Sequence, residues 1–261
     1  MAAEKTLGLV LRVIEFSETS CIVHLYTRDF GKISALAKGA RRPKSPFEAA
    51  LDLLAVCRVV FLRKSSDALD LLTEARLERR FRAATRDLTR LYAGYYVVEL
   101  LRELTDQGDP QPELFDAAVG TVRALDGVNE PFGAILHFEW TALRLIGHLP
   151  ALAECVGCGL ALDAFAASGR VSFGMLAGGV LCGECRAGQR SVVSISGRAW
   201  QVLRHFADAT DDTWEQIEVP GGVRGELRAV MNQYVSHLVG RPLRMPAYLH
   251  ALRASSAAVV R

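Results

Sequence analysis

The sequence predicts an α+β protein of several domains, in which a five-stranded β-barrel precedes an α-helical domain with an inserted four-cysteine element. Apolar residues alternate at a period of two through the first third of the chain. They recur at helical spacing from about residue 80 onward, and two C-x-x-C pairs interrupt the helical part. A chain of 261 residues is long enough for one large domain or about two to three small ones.

The first 79 residues contain the strands of the predicted barrel. The strand segments are LGLVLRV, CIVHLYT, GKISALA, AVCRVVFLR and DALDLLTEA, with turn-rich pieces such as EFSETS and TRDFG between them. Five short strands suit a small closed barrel, since closure removes exposed strand edges. We therefore predict a Greek-key barrel of the OB type over residues 1–79. A plain antiparallel sheet has the same periodicity and stays open as an alternative.

Helices are predicted for most of the remaining chain. Pro131 is favourable at the start of one helix, Ser196 can cap another, and Gly240 ends the last. The predicted helices cover about 82–105, 114–125, 132–146, 197–207 and 223–238. The predicted domains after the barrel are a first helical part at 80–150, a cysteine element at 151–190, a second helical part at 191–249, and a tail at 250–261 that is a candidate for disorder.

Positive charge is concentrated between residues 31 and 64. This segment holds eight Lys and Arg residues against two acidic ones, while the whole chain has a net charge of only +2. Its densest part reads AKGARRPKSPF, residues 37–47. Such asymmetry predicts a polyanionic partner, although a solvated loop without a partner has the same composition.

The sequence also bears on location. No stretch approaches the roughly 18 uninterrupted apolar residues that a membrane helix needs. The N-terminus lacks the long apolar run and the cleavage site of a signal peptide. We therefore expect a cytoplasmic protein with no membrane partner.

Four of the six cysteines form two C-x-x-C pairs. Cys155 and Cys158 make the first pair, and Cys182 and Cys185 the second. Each such turn can aim two sulfurs at one point, so two turns close a tetrahedral site for one zinc ion. Two disulfides or a redox C-x-x-C are the competing interpretations, and a cytoplasmic location disfavours disulfides. Four thiolates leave no open coordination position, so we predict a structural zinc.

The surroundings of these cysteines fit a small folded element. Gly157, Gly159 and Gly183 suit tight turns, because glycine tolerates positive φ. Apolar residues between the two pairs predict a small hairpin. Cys21 and Cys57 fall in predicted strands and are expected to be buried apolar residues, not ligands.

Known catalytic motifs are missing from the sequence. It contains no Gly-rich phosphate loop, no G-x-S-x-G and no H-E-x-x-H, and its six histidines are scattered. We therefore predict that the protein is not an enzyme. An enzyme that uses the helical region as a pocket is an alternative from another functional class.

The order of these parts and several short sequence motifs resemble those of a known family. Residues 17–20 (SETS), 31–32 (GK) and 37–42 (AKGARR) look like the barrel signature of the RecO family of DNA repair proteins. Residues 178–185 (GGVLCGEC) are similar to that family's second zinc knuckle, and 240–244 (GRPLR) to the end of its closing helix.

The resemblance covers about residues 5–245 and implies a non-catalytic recombination mediator with an OB-fold barrel. One departure is Met245, where the family pattern has a serine. Such a mediator binds single- and double-stranded DNA and anneals complementary strands. It acts with RecR, recognises the C-terminal tail of the single-stranded DNA-binding protein, and helps load RecA onto DNA coated by that protein. It is bacterial and nucleoid-associated. A zinc-stabilised protein-interaction module without annealing activity is the alternative.

The basic segment supplies the predicted DNA contacts. Phosphate contacts need no base specificity, and we expect strongly salt-dependent binding. Four aromatic residues are candidates for base stacking, but each is equally well explained as core: Tyr26, Phe30, Phe47 and Phe61. The predicted DNA-binding residues are Lys32, Lys38, Arg41, Arg42, Lys44, Arg63 and Lys64.

Recognition of the partner tail is assigned to the helical domain. An acidic, hydrophobic peptide needs an apolar groove with a basic rim. Arginines that only solvate helix faces are the alternative. The predicted tail-binding residues are Arg90, Arg102, Arg123 and Arg144.

Overall fold

A closed barrel forms the N-terminal part of the chain. The computed structural model describes residues 3–43, 45, 47, 50–64, 68–127, 130–162, 169–209 and 213–250. The barrel strands are β1 (Ala3–Glu15), β2 (Cys21–Thr27), β3 (Gly31–Ala37), β4 (Val56–Leu62) and β5 (Asp70–Arg79). They pair in the order β1-β2-β3-β5-β4, and β4 pairs back onto β1. Only the β3–β5 pairing is parallel among these neighbours. The predicted barrel is confirmed, and the plain antiparallel sheet is excluded.

The barrel interior is apolar, as the period-two alternation requires. Val23, Val59 and Phe61 have no exposed surface. Full burial of a side chain of this kind contributes about 1.5–3 kcal/mol to stability. Cys21 and Cys57 belong to the same buried cluster, so their predicted role as core residues is confirmed.

β1 bends where its pairing with β2 shifts register, between Val10 and Arg12. Residues before this bulge pair with β4, whereas the last residues of β1 pair with β2 alone. Val13 lies opposite Val23, and Glu15 lies opposite Cys21. Beyond the bulge, the β1 side chains that face the barrel interior have no β4 residue opposite them. The barrel is therefore open at this end, which we call the barrel mouth.

Two helices follow the barrel, α1 (Leu88–Leu104) and α2 (Pro112–Leu125). The predicted start of the first helix near residue 82 is wrong. The Asp87 carboxylate accepts the N–H groups of Thr89 and Arg90 and so caps the helix at Leu88. Residues Ala83–Thr85 form a separate 3₁₀ turn.

The second half of the chain combines helices with a small sheet. The helices are α3 (Pro131–Leu145), α4 (Gly197–Asp208) and α5 (Arg224–Val239), and the strands are β6 (Arg170–Gly174), β7 (Gly179–Leu181) and β8 (Val192–Ser196). The sheet order is β7-β6-β8, so the predicted hairpin is present and gains a third strand. Trp140, Trp200 and Phe206 are among the largest side chains of the core between this sheet and the helices. Ser196 caps α4 by accepting the Ala199 N–H, as predicted.

The chain divides into two units, Met1–Pro131 and Phe132–Arg261. Unit 1 contains the barrel, α1 and α2, and unit 2 contains the remaining elements. The partition of the helical region at 80–150, 151–190 and 191–249 stays a prediction, and most of the predicted tail lies outside the described residues. Across the described ranges, every helix is too short or too polar to span a bilayer.

Candidate nucleic-acid interface and candidate metal centre

A cleft of about 580 Å³ opens at the barrel mouth. Arg41 and Arg42 of the β3–β4 loop contribute to its lining, as does Arg80, which follows β5. Glu15 and Asp52 are acidic groups of the same lining. Guanidinium groups thus outnumber carboxylates, which favours a polyanion such as a nucleic-acid backbone.

The β3–β4 loop is fixed against the turn between β1 and β2. The Arg41 backbone N–H donates to the Thr19 carbonyl at 3.0 Å, and the Gly39 N–H donates to Ser20 Oγ at 3.3 Å. The Arg41 guanidinium donates to the Ser17 carbonyl at 3.4 Å. Gly39 has a φ of 72°, a left-handed conformation that glycine adopts readily. Ordered backbone therefore presents the basic side chains of this loop.

One ion pair competes with any phosphate for Arg41. A Glu15 carboxylate oxygen lies 3.1 Å from the guanidinium, with the side chains of Arg41 and Glu15 42% and 74% exposed. Pairs as exposed as this contribute at most about 1 kcal/mol. A phosphate can therefore displace the carboxylate.

The structure brings together only part of the predicted DNA-binding set. Lys38, Arg41 and Arg42 are exposed on the loop beside the cleft. Lys32 lies near the β2–β3 turn, at the other end of β2 from the cleft. Its ammonium group donates to the carbonyl of Arg102 at 2.8 Å, and burial lowers its pKa. The ammonium group of Lys32 is therefore already engaged by a carbonyl near the C-terminal end of α1.

The residues after β4 also lie away from the cleft. The Arg63 guanidinium lies 5.9 Å from the ring centre of Phe30, which is in the β2–β3 turn. Lys64 is exposed, and its backbone N–H donates to Asp70 at 2.9 Å. Lys44 lies outside the described residues. The DNA-binding role of every member of the set stays a prediction.

The sequence reasoning missed Arg80. The signal was available, because residues 76–86 read RLERRFRAATR and contain five arginines. Period-two strand reasoning assigned their first part to the barrel and gave their charge no role. Only the fold places Arg80 beside Arg41 and Arg42 in the lining of one cleft.

Three of the four aromatic candidates for base stacking belong to the barrel core or its edge, whereas Tyr26 lies on the other face of β2, with its ring centre 6.2 Å from that of Phe115 in α2. Tyr26, Phe47 and Phe61 are buried. Phe30 is half-buried and packs edge-on against Phe61, with 5.3 Å between the ring centres. Of the two interpretations that the sequence left open, the core position describes these residues.

The predicted tail-binding arginines differ in how they are engaged. The Arg90 guanidinium donates to the Leu125 carbonyl at 2.9 Å and also pairs with Asp87. In unit 2, the Arg144 guanidinium donates to the Ala207 carbonyl at 2.6 Å, near the C-terminal end of α4. Both therefore satisfy carbonyl groups at helix ends. Arg102 and Arg123 are exposed on α1 and α2. The tail site stays a prediction.

The four predicted ligands do converge in unit 2. The sulfur atoms of Cys155, Cys158, Cys182 and Cys185 all lie within 4.8 Å of one another. The Cys158 and Cys182 sulfurs are 3.8 Å apart. Zinc–sulfur bonds of about 2.3 Å in a tetrahedron separate the sulfurs by about 3.8 Å. The cluster therefore has the donor set and spacing to hold one metal ion.

Backbone donors prepare one of these sulfurs for metal binding. The N–H groups of Cys182 and Gly157 point to Cys155 Sγ, at 3.3 and 3.4 Å. Burial opposes ionisation of Cys155, but these donors and the neighbouring Cys158 outweigh it and lower the pKa to about 6. Hydrogen bonding to the neighbouring thiols, Cys182 first, raises the pKa of Cys185 to about 12. A cation among the sulfurs would favour the thiolate form of every member.

The three glycines of the C-x-x-C turns differ in backbone conformation and in the space around them. Gly159 has a φ of 73°, as predicted. Gly157 does not have a positive φ, but a Cβ there would lie 3.0 Å from both Cβ and Sγ of Cys185. Gly183 does not have a positive φ either, and a Cβ added there would meet no described atom within 4 Å. Gly157 and Gly183 therefore lie in turns, as predicted, but do not use a positive φ.

Comparisons with known proteins agree with the geometry. Residues 1–81 match the family described as Recombination protein O N terminal, and residues 85–246 match the family described as Recombination protein O C terminal. The chain is 42% identical to the DNA repair protein RecO of Rhodopirellula baltica, over 93% of this chain and 97% of that protein. It is 32% identical to the DNA repair protein RecO of Anaeromyxobacter dehalogenans, over 94% of this chain and 95% of that protein.

Proposed function

Since the chain belongs to the RecO family of DNA repair proteins, we propose that it is a recombination mediator that binds single- and double-stranded DNA and anneals complementary strands. The cationic cleft at the barrel mouth is the observation that supports this most directly. Arg41, Arg42 and Arg80 can each contact a phosphate, and such contacts do not depend on base sequence. Annealing requires contacts that are independent of base sequence, because the phosphate charge of both strands must be neutralised whatever their sequence.

The proposal includes protein partners. The protein acts with RecR and helps load RecA onto DNA that is coated by the single-stranded DNA-binding protein. It recognises the C-terminal tail of that coating protein through helical side chains, for which the exposed Arg102 and Arg123 are available in unit 1. It does so in the cytoplasm, in association with the nucleoid, and without catalytic chemistry of its own.

The metal of the four-cysteine cluster is a structural zinc ion in this proposal. The convergence of four sulfurs supports zinc, because a tetrahedral set of thiolates is a donor set that zinc prefers. When bound, the ion crosslinks the two C-x-x-C turns. Cys155, Cys158, Cys182 and Cys185 orient those turns and hold the hairpin of β6 and β7 against them.

The test is DNA binding and strand annealing across a salt series. A variant with Arg41→Glu, Arg42→Glu and Arg80→Glu is compared with the wild type. A matched control carries the same charge change at three exposed arginines of unit 2, as Arg186→Glu, Arg190→Glu and Arg198→Glu. Loss of three phosphate contacts should lower the slope of log affinity against log salt by about 2 for single strands.

The proposal stands if the cleft variant loses affinity, annealing and salt slope while the control keeps them. Equal binding by the cleft variant and the wild type would remove the cleft from the proposal. A folded wild type that binds no DNA would contradict the function itself.

A further inference from the structure

The outer face of the barrel carries a row of apolar side chains. Cross-strand pairing aligns Ile14 with Ile22, Ile22 with Leu36, and Leu36 with Leu71. Directly opposed residues lie on the same face of a sheet. Cys21 and Val23 beside Ile22, and Ala35 and Ala37 beside Leu36, belong to the barrel core, whereas the four aligned side chains are half-buried. The row therefore crosses β1, β2, β3 and β5 on the outer side of the barrel.

An exposed aromatic residue stands at the edge of this row. Phe16 follows directly after β1 and is 60% exposed. Its N–H donates to the Ser20 carbonyl at 3.1 Å, which continues the β1–β2 pairing. Strand alternation then places Phe16 on the same side of the sheet as Ile14. Among the described residues of unit 1, the other exposed large hydrophobic side chains are aliphatic, Val13 and Leu88.

Cations flank the apolar row. Arg12 and Lys38 are exposed, the first opposite His24 and the second directly after β3. Burial lowers the pKa of His24, and the charges of Arg12 and Arg102 lower it further. Arg12 and Lys38 therefore place positive charge at the border of this face. An apolar surface with a positive border fits nucleobases joined by phosphates better than it fits a neutral protein partner.

We propose that this outer face, with Phe16 as its stacking residue, binds the bases of single-stranded DNA. The inference rests on the proposed DNA-binding function and adds a base contact to the phosphate contacts of the cleft. Every unpaired base offers a flat face to an aromatic ring, so stacking keeps the contact independent of sequence. Bases inside a duplex are stacked on each other and cannot reach the ring. The outer face therefore favours single strands over duplex.

The test measures fluorescence anisotropy with three probes: labelled oligothymidylate, an abasic strand with the same number of phosphates, and a hairpin duplex. Phe16→Ala should weaken oligothymidylate binding about 5- to 150-fold. Its affinity for the abasic strand and the duplex, and its salt slope, should match the wild type. Phe16→Trp should restore oligothymidylate binding. Leu88→Ala is the control, since Leu88 is 55% exposed and lies on α1.

Three outcomes overturn the inference. If Phe16→Ala binds oligothymidylate like the wild type while the Arg41, Arg42 and Arg80 variant does not, the stacking face is wrong and the proposed function stands. If Phe16→Ala loses the abasic strand equally, Phe16 only supports the turn that holds the basic loop. If the folded wild type binds none of the probes, the proposed function and this inference fail together.

Discussion

At the scale of single residues, Asp126 determines the conformation of the arginine-rich segment after β5. Its Oδ1 accepts the backbone N–H groups of Arg82 and Ala83, at 2.8 and 2.7 Å, and its Oδ2 accepts from the Arg79 guanidinium at 3.1 Å. Its side chain is only 7% exposed. Asp126→Ala leaves these donors without their acceptor, so we expect the free energy of unfolding to fall by about 2–3 kcal/mol. Urea-induced unfolding of the full chain measures this loss.

A second aspartate of unit 1 provides the matched control. Asp116 pairs with Arg28 at 2.8 Å, but the side chains of Arg28 and Asp116 are 42% and 53% exposed. Asp116→Ala should therefore cost less than about 1 kcal/mol. Equal losses for the two variants would show that Asp126 contributes only an ordinary surface ion pair.

Residue roles were the least predictable part of the site. The basic loop was predictable because glycine, proline and repeated cations mark an exposed turn. The position of Arg80 in the cleft lining was not, since it depends on strands that meet only in the closed barrel. Lys32 has the charge of a DNA contact, yet its ammonium group binds the carbonyl of Arg102, seventy positions along the chain. Charge in a sequence does not reveal such internal partners.

At the scale of elements, the first C-x-x-C knuckle leaves little room for a side chain at Gly157. A Cβ there would lie 3.0 Å from Cys185 Sγ, so one of the two knuckles must shift to accept it. We expect Gly157→Ala to weaken metal binding roughly tenfold or more, the scale seen when residues around metal ligands are replaced. Competition with a chromophoric zinc chelator measures the affinity.

A glycine-to-alanine change in the second knuckle, at Gly183, provides the control without steric crowding. Gly183 has no described atom within 4 Å of a Cβ added there, so Gly183→Ala should bind zinc like the wild type. If both alanine variants bind zinc equally well, crowding between the knuckles does not limit the site.

Elements with strong periodicity were predictable, and their ends were less so. The barrel strands follow the alternation of apolar residues, and α2 to α5 follow helical stripes. The start of α1 depends on the cap that Asp87 forms, which the apolar stripe does not record. β8 spans only Val192–Ser196, and it is a strand because it pairs with β6. Such pairing depends on the tertiary structure and cannot be predicted from a five-residue segment alone.

At the scale of the whole molecule, the two candidate sites lie in different units. The cleft is lined by residues of unit 1, whereas the four cysteines belong to unit 2. Each site is therefore built by its own core. The four-thiolate spacing and the basic loop were both visible in the sequence, which also placed them in different predicted domains. The position of the unit boundary was not visible, because it falls at the start of α3.

This separation predicts that metal removal and DNA binding are uncoupled. Ligand sulfurs and neighbouring Leu181 form a small cluster that the metal would hold together, so chelation should lower the thermal unfolding temperature. Single-stranded DNA affinity at room temperature should stay unchanged within error, because the described residues that line the cleft all belong to unit 1. Differential scanning fluorimetry and anisotropy on the same chelated sample measure both quantities, and a Cys182→Ser variant removes the metal without chelator. DNA affinity that falls in step with zinc content would show that the cysteine element supports the DNA site.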